Sequence, residues 1–220
     1  MSIDIGMLRL KLARAIAADG RAPSNAALAQ LAGCGTGEVE AGLNELAALN
    51  GLLLHPHKCK PWAVHPFALA PGSCWVKTEA RGYWANCLYC AFGIAAALDR
   101  DALVFTRLGS EHEEICFKIR DGRVDHEDFL FHLSVPVAEW WDNVIYACSS
   151  FQPFRSEADI RAWCERHDFA PGAVLTIPQL WDFARSWYGS CLVEPWRKRT
   201  KEEVEAIFAA NGLTGPFWQI

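Results

Sequence analysis

The sequence predicts an α+β fold: an N-terminal winged-helix-like helical module followed by a mixed or antiparallel sheet domain with flanking helices. Three observations carry this. Helical periodicity dominates the first fifty residues, short strand-like runs divided by turn residues fill the middle, and capped helical segments return after Ser156. With 220 residues and 51% hydrophobic content the chain can bury a full core, as one domain with an appendage or as two small domains.

The elements follow in order. Leu8, Leu12, Ala15 and Ile16 share a helical face, and Gly20 ends that pattern. A second helix over Ser24 to Ala32 meets the tight Gly33-Cys-Gly-Thr-Gly37 turn, and Val39, Leu43, Leu46 and Leu49 recur at helical spacing. This is a helix-turn-helix pattern, with Gly51 to Leu54 and Trp62 to Val64 as the two strands of a wing. The Pro- and Gly-punctuated stretch from His65 to Gly82 connects this module, residues 1–66, to a second domain, residues 67–220, and holds a strand around Cys74 to Val76. Tyr83 to Leu98 reads as one buried helix. Ala102 to Thr106, Glu114 to Ile119, Asp128 to Val135 and Val144 to Cys148 read as strands. Ser156 caps a helix running to about His167, Thr176 starts another, and Thr200-Lys-Glu-Glu203 is a capping box for a last one that stops at Asn211-Gly212.

Charge narrows the functions. A net charge of -5 argues against a general binder of nucleic acid or anionic membrane. A winged helix invites a DNA-binding reading, yet Ser24 to Leu54 holds no Lys or Arg and the would-be recognition helix carries Glu38, Glu40 and Glu45. Phosphates would repel such a helix, so the module is expected to be structural. The N-terminus has no basic region ahead of an apolar run, and Tyr83 to Leu98 is too short to span a bilayer. Nine cysteines cannot all pair within one chain, so free thiols in a reducing cytoplasm are the simpler expectation. Cys34, Cys116, Cys164 and Cys191 read as small core residues, and Trp140, Trp141, Trp181, Trp187 and Trp218 as core aromatics, some of which could wall an apolar pocket.

The chemistry centres on three thiols. Cys87 and Cys90 stand three residues apart on one helical face, able to address a single thiophilic metal, and Cys148 ends a second apolar stretch. Placed in the first helical turn, Cys87 is expected to have the most depressed thiol pKa. A thioredoxin-type motif would need a βαβ pattern that is missing. Structural zinc would need a fourth ligand from Cys59, Cys74 or a histidine. The seven histidines show no metalloprotease spacing, and neither a phosphate loop nor a Gly-x-Ser-x-Gly elbow occurs.

Tyr83-Trp-Ala-Asn-Cys87-Leu-Tyr-Cys90-Ala-Phe-Gly-Ile94 resembles the Tyr-Ala-x-Cys-Ala-x-Asp-x-x-x-Ile helix of the alkylmercury lyase family. Cys148 to Phe154-Arg-Ser156 resembles that family's second cysteine, followed by an aromatic and a capped helix. The resemblance implies that residues 67–220 form an alkylmercury-lyase-like catalytic domain in which Cys87 and Cys148 hold mercury. Cys90 occupies the position of the family's proton-donating aspartate, so it would replace the acid or add a third metal ligand, with Asp142 as a substitute acid. The implied substrate is a small organometallic or thiophilic compound, with no organic cofactor or permanent metal and with cellular low-molecular-weight thiols removing the product ion. The alternative is a non-catalytic thiol-rich sensor or metal and metalloid binder built on Cys87, Cys90 and Cys148.

Overall fold

The computed structural model describes residues 3–220; Met1 and Ser2, the start of the expected N-terminal module, lie outside them. Helix α1 (Ile5–Asp19) starts at Asp4, whose carboxylate accepts the Met7 N–H, and stops at Gly20 in the left-handed region. Helix α2 (Asn25–Ala32) repeats the device with Ser24 and Gly33. Helix α3 (Thr36–Ala48) buries Val39, Gly42, Leu43 and Leu46 while Glu38, Glu40 and Glu45 stay exposed. A short hairpin, β1 (Leu53–Leu54) and β2 (Pro61–Val64), follows antiparallel where the strand pair of a wing was expected.

That hairpin does not stand apart. Strand β2 pairs with β3 (Phe67–Ala68), and the sheet continues through β4 (Cys74–Lys77), β5 (Gly82–Ala85), β6 (Ala102–Arg107), β7 (Glu114–Arg120) and β8 (Arg123–Val124). The order is β1-β2-β3-β5-β4-β6-β7-β8, antiparallel at every pairing. A second antiparallel sheet sets β9 (Leu130–Leu133) between β10 (Gln152–Phe154) and β11 (Ala173–Thr176).

Helix α4 (Leu88–Leu98) lies between the large sheet and α7 (Ile177–Tyr188), which explains why it is apolar on nearly every side. Helix α7 begins with the Thr176–Gln179 capping box, α6 (Glu157–His167) with Ser156, and α8 (Lys201–Ala210) with the Thr200–Glu203 box. Among the described residues no helix is long and apolar enough to cross a membrane.

Two sequence expectations are corrected. Tyr83 to Ala85 is strand, not the start of the helix: Tyr83 and Ala85 point inward and Trp84 outward, the period of two that a sheet position imposes. Val144 to Cys148 is not a strand but part of α5 (Val144–Ser150). Its β-branched start reads as strand, but Asn143 caps the segment by accepting the Tyr146 N–H at 3.0 Å. Ala147, Cys148 and Ser150 then turn inward while Ile145 and Tyr146 face solvent.

Candidate functional site

Two helix segments bring the thiols together. Cys87 is the N-cap of α4 and Cys90 lies in its first turn, so the helix start projects both toward one point. Cys148 arrives from α5, sixty residues along the chain, because the Asn143 cap makes that segment helical and turns its inner face toward α4. All three are buried. The Sγ atoms of Cys90 and Cys148 and a ring nitrogen of His65 lie within 4.8 Å of one another. Among the described residues no other group of His, Cys, Asp or Glu side chains converges in this way.

The cluster floors a cavity of about 420 Å³. Tyr89, Trp140, Trp141, Phe151, Trp187, Tyr188 and Trp196 supply its aromatic walls, and His65, Cys90 and Cys148 face it. Cys87 is fully buried and sits behind them, outside that lining. Of the tryptophans read as core, Trp181 and Trp218 are buried, whereas Trp140, Trp141 and Trp187 wall the cavity, and Trp141 is 41% exposed.

The electrostatics of the trio differ from the sequence expectation. Burial pushes the Cys87 thiol well up, since removing a thiolate from water costs more than the helix N-terminus returns. Cys90 is held well below the usual thiol range by hydrogen bonding with Cys148 and Cys87, and the Tyr188 hydroxyl lies 3.9 Å from its sulfur. Cys148 is raised well up, because it is the donor to the other two sulfurs. The expectation that Cys87 has the most depressed thiol pKa is therefore corrected: within the cluster Cys90 is held low and Cys87 is pushed up.

Neutral rings and two guanidinium groups surround the thiols, and Glu194 also lines the cavity. Burial lowers His65 to about 4, so its imidazole is uncharged near neutrality, and its Nε2 is sealed without a hydrogen-bond partner. Burial likewise raises Tyr89 and Tyr188 well above the usual phenol range, and the Tyr89 hydroxyl is also unpartnered. Arg9 reaches in from α1, giving Nε to the Gly51 carbonyl at 2.6 Å and Nη2 to the His65 carbonyl at 2.8 Å. Arg199 lies 4.5 Å over the Trp187 ring and donates to its carbonyl. Neither guanidinium has a carboxylate partner among the described residues, so the cavity wall has positive charge to set against a thiolate.

Other candidates lie elsewhere. Asp142 is exposed in the turn before α5 and takes no part in the cavity lining. Cys59 packs against α3, where its thiol donates to the Glu40 carbonyl. Cys74, on β4, is buried with its thiol pushed up to about 12 by desolvation, and is not among the convergent ligands. His65, Tyr89, Tyr188 and Arg9 had no signature in spacing.

The alkylmercury lyase family model matches residues 67–189, more than half of the chain, with all three cysteines inside the match. The chain belongs to the alkylmercury lyase family. Among solved structures it is similar to a crystal structure of the mercury-bound form of MerB2, at 18% identity and a TM-score of 0.66, over 86% of this chain and 98% of that one. No curated protein matches. At that identity the likeness carries the fold, and the α+β architecture read from the sequence is the fold of this alkylmercury lyase family member. His65 and Arg9 lie outside the stretch that the family model matches.

Proposed function

We propose that the protein is an organomercurial-lyase-type enzyme that cleaves a carbon–mercury bond, or a related carbon–metal or carbon–heteroatom bond, with Cys87 and Cys148 as the final metal ligands and Cys90 as the proton carrier. The observation that supports this is the meeting of the buried Cys90 and Cys148 sulfurs at an aromatic cavity, with Cys87 buried behind them and the Cys90 thiol held below its usual range. Mercury here is substrate and product, and the scheme uses no organic cofactor or resident metal.

Starting from a Cys90 thiolate and Cys87 and Cys148 thiols, the trio contains every proton the reaction needs. An alkylmercury thiolate, R–Hg–SR′, enters, and as Cys148 binds mercury its proton passes to the Cys90 thiolate while R′S⁻ leaves. Electron density from the bound sulfur builds on the carbon, the Cys90 S–H protonates it, and the hydrocarbon R–H departs. Cys87 completes the mercury bis-thiolate, its proton going to Cys90. The sum of R–Hg–SR′, one thiolate and two thiols gives R–H, Hg(S–Cys)₂, one thiol and R′S⁻, balanced in atoms and charge. Cys90 thus performs the step that the family assigns to an aspartate. A low-molecular-weight thiol then exchanges onto mercury and carries it away.

Incubating the reduced protein with phenylmercury and excess thiol should release benzene, detected by mass spectrometry. Cys90→Asp should retain or increase turnover. Cys87→Ser and Cys148→Ser should abolish it. Cys90→Ala should still bind mercury but turn over about 10²–10⁴ more slowly, the usual cost of losing a general acid. If the wild type holds mercury(II) yet releases no hydrocarbon, and Cys90→Asp is equally silent, the protein is a sensor or sequestering protein and the lyase reading is wrong.

A further inference from the structure

The orphaned imidazole of His65 is the feature that carbon–mercury cleavage leaves unexplained. A buried polar atom without a partner costs about 1–3 kcal/mol, so such atoms persist where something satisfies them. The Nε2 of His65 is sealed from solvent and unpartnered among the described residues. Its ring is also held in place. Arg9 grips the backbone carbonyl at 2.8 Å, and Trp141 packs edge-on at 5.9 Å between centroids.

We propose that His65, Cys90 and Cys148 form a binding site for a borderline divalent cation such as zinc(II), with the fourth position open to the cavity. Geometry supports it first. An ion centred among three donors no more than 4.8 Å apart lies at most about 2.8 Å from each, and zinc bonds of about 2.0–2.1 Å to nitrogen and 2.3 Å to sulfur need the donors to close by at most about 0.7 Å at nitrogen and about 0.5 Å at sulfur.

Donor chemistry selects the cation. Two thiolates and an imidazole suit zinc(II), cobalt(II) and cadmium(II), and the set has no carboxylate to favour magnesium or calcium. A closed structural site would have four protein ligands. Here three face a cavity of about 420 Å³, which is the open arrangement of zinc sites that exchange a ligand. The bound ion would hold the front thiolates in a resting state and yield to mercury, the more thiophilic metal. The site shares Cys90 and Cys148 with the proposed reaction and adds His65 from outside it, and because its test uses no organomercurial, failure of zinc binding and failure of carbon–mercury cleavage are distinguishable.

The test uses the full-length reduced, metal-stripped protein and cobalt(II) alone, with no organomercurial. Wild type should bind one equivalent, with the intense visible bands of tetrahedral cobalt and a near-ultraviolet sulfur-to-cobalt charge-transfer band, both erased by zinc(II). His65→Ala should weaken binding by more than about 100-fold, since even outer-shell changes cost 10–100-fold, while His65→Cys should keep binding and intensify the charge-transfer band. X-ray absorption of the zinc-loaded wild type should show imidazole scattering beside two sulfurs, which covers the case of a variant that fails to fold. Failure of wild type to bind cobalt(II) or zinc(II), equal affinity in folded His65→Ala, or a metal shell without imidazole would each overturn the proposal.

Discussion

Gly93, one turn beyond Cys90 on α4, tests whether the α4–α7 contact positions the thiol cluster. A Cβ there would stand 2.3 Å from Cδ2, 2.8 Å from Cε2 and 2.9 Å from Cγ of Tyr188. Normal carbon contacts begin near 3.4 Å, so the ring or the helices must part by roughly 1 Å. The ring has no soft direction: Tyr188 is 7% exposed and packs on Tyr89 at 5.2 Å, and Tyr89 in turn stacks on Phe183 at 4.6 Å. Overpacking of this kind costs about 1–3 kcal/mol, against which Ala returns up to about 1 kcal/mol of helix propensity. Gly37→Ala in α3 is the control, because nothing lies within 4 Å of its Cβ and only the propensity gain remains. In guanidinium unfolding under reducing conditions, Gly93→Ala should fall below Gly37→Ala by the full clash, about 1–3 kcal/mol. The Tyr188 hydroxyl would also leave its 3.9 Å position beside Cys90, so thiol alkylation rates should change in Gly93→Ala and not in Gly37→Ala. A Gly93→Ala protein as stable as the Gly37→Ala protein, with unaltered alkylation, would refute this account of the packing.

Three further outcomes follow from the same structure. Because His65 falls from 6.5 to about 4 on folding, the unfolded chain binds more protons between those values, so stability should rise with pH there; in the metal-free protein acidification from pH 7 to pH 4 should cost on the order of 2–3 kcal/mol, and urea midpoints that fall equally in His65→Gln would disprove the assignment. Arg9→Met removes the donors to the buried Gly51 and His65 carbonyls and should lower stability by about 2–4 kcal/mol in denaturant unfolding; a change under 0.5 kcal/mol would mean that neither bond matters. Duplex DNA should not be selected from a random library at low salt, because Glu38, Glu40 and Glu45 are exposed on α3; enrichment of a palindromic site would overturn the structural role of the N-terminal module.

Local signals in the sequence determined most of the elements. The caps at Ser24, Ser156, Thr176 and Thr200, the helix ends at Gly20 and Gly33, and the strands at Ala102 and Glu114 are legible because each depends on neighbours within four residues. The two segments misread, Tyr83 to Ala85 and Val144 to Cys148, are those where residue type and burial period disagree, and tertiary packing settles such conflicts. Cys87, Cys90 and Cys148 could be picked out because thiols at helical spacing are uncommon and carry a recognisable pattern. The tertiary structure alone decided the direction in which each thiol is shifted. Desolvation and hydrogen bonding are properties of surroundings drawn from α1, α4, α5 and α7, and they lower Cys90 and raise Cys87. It alone brought in His65, twenty-two residues before Cys87 on another segment, since no rule of spacing joins an imidazole to thiols that meet it only when the chain closes.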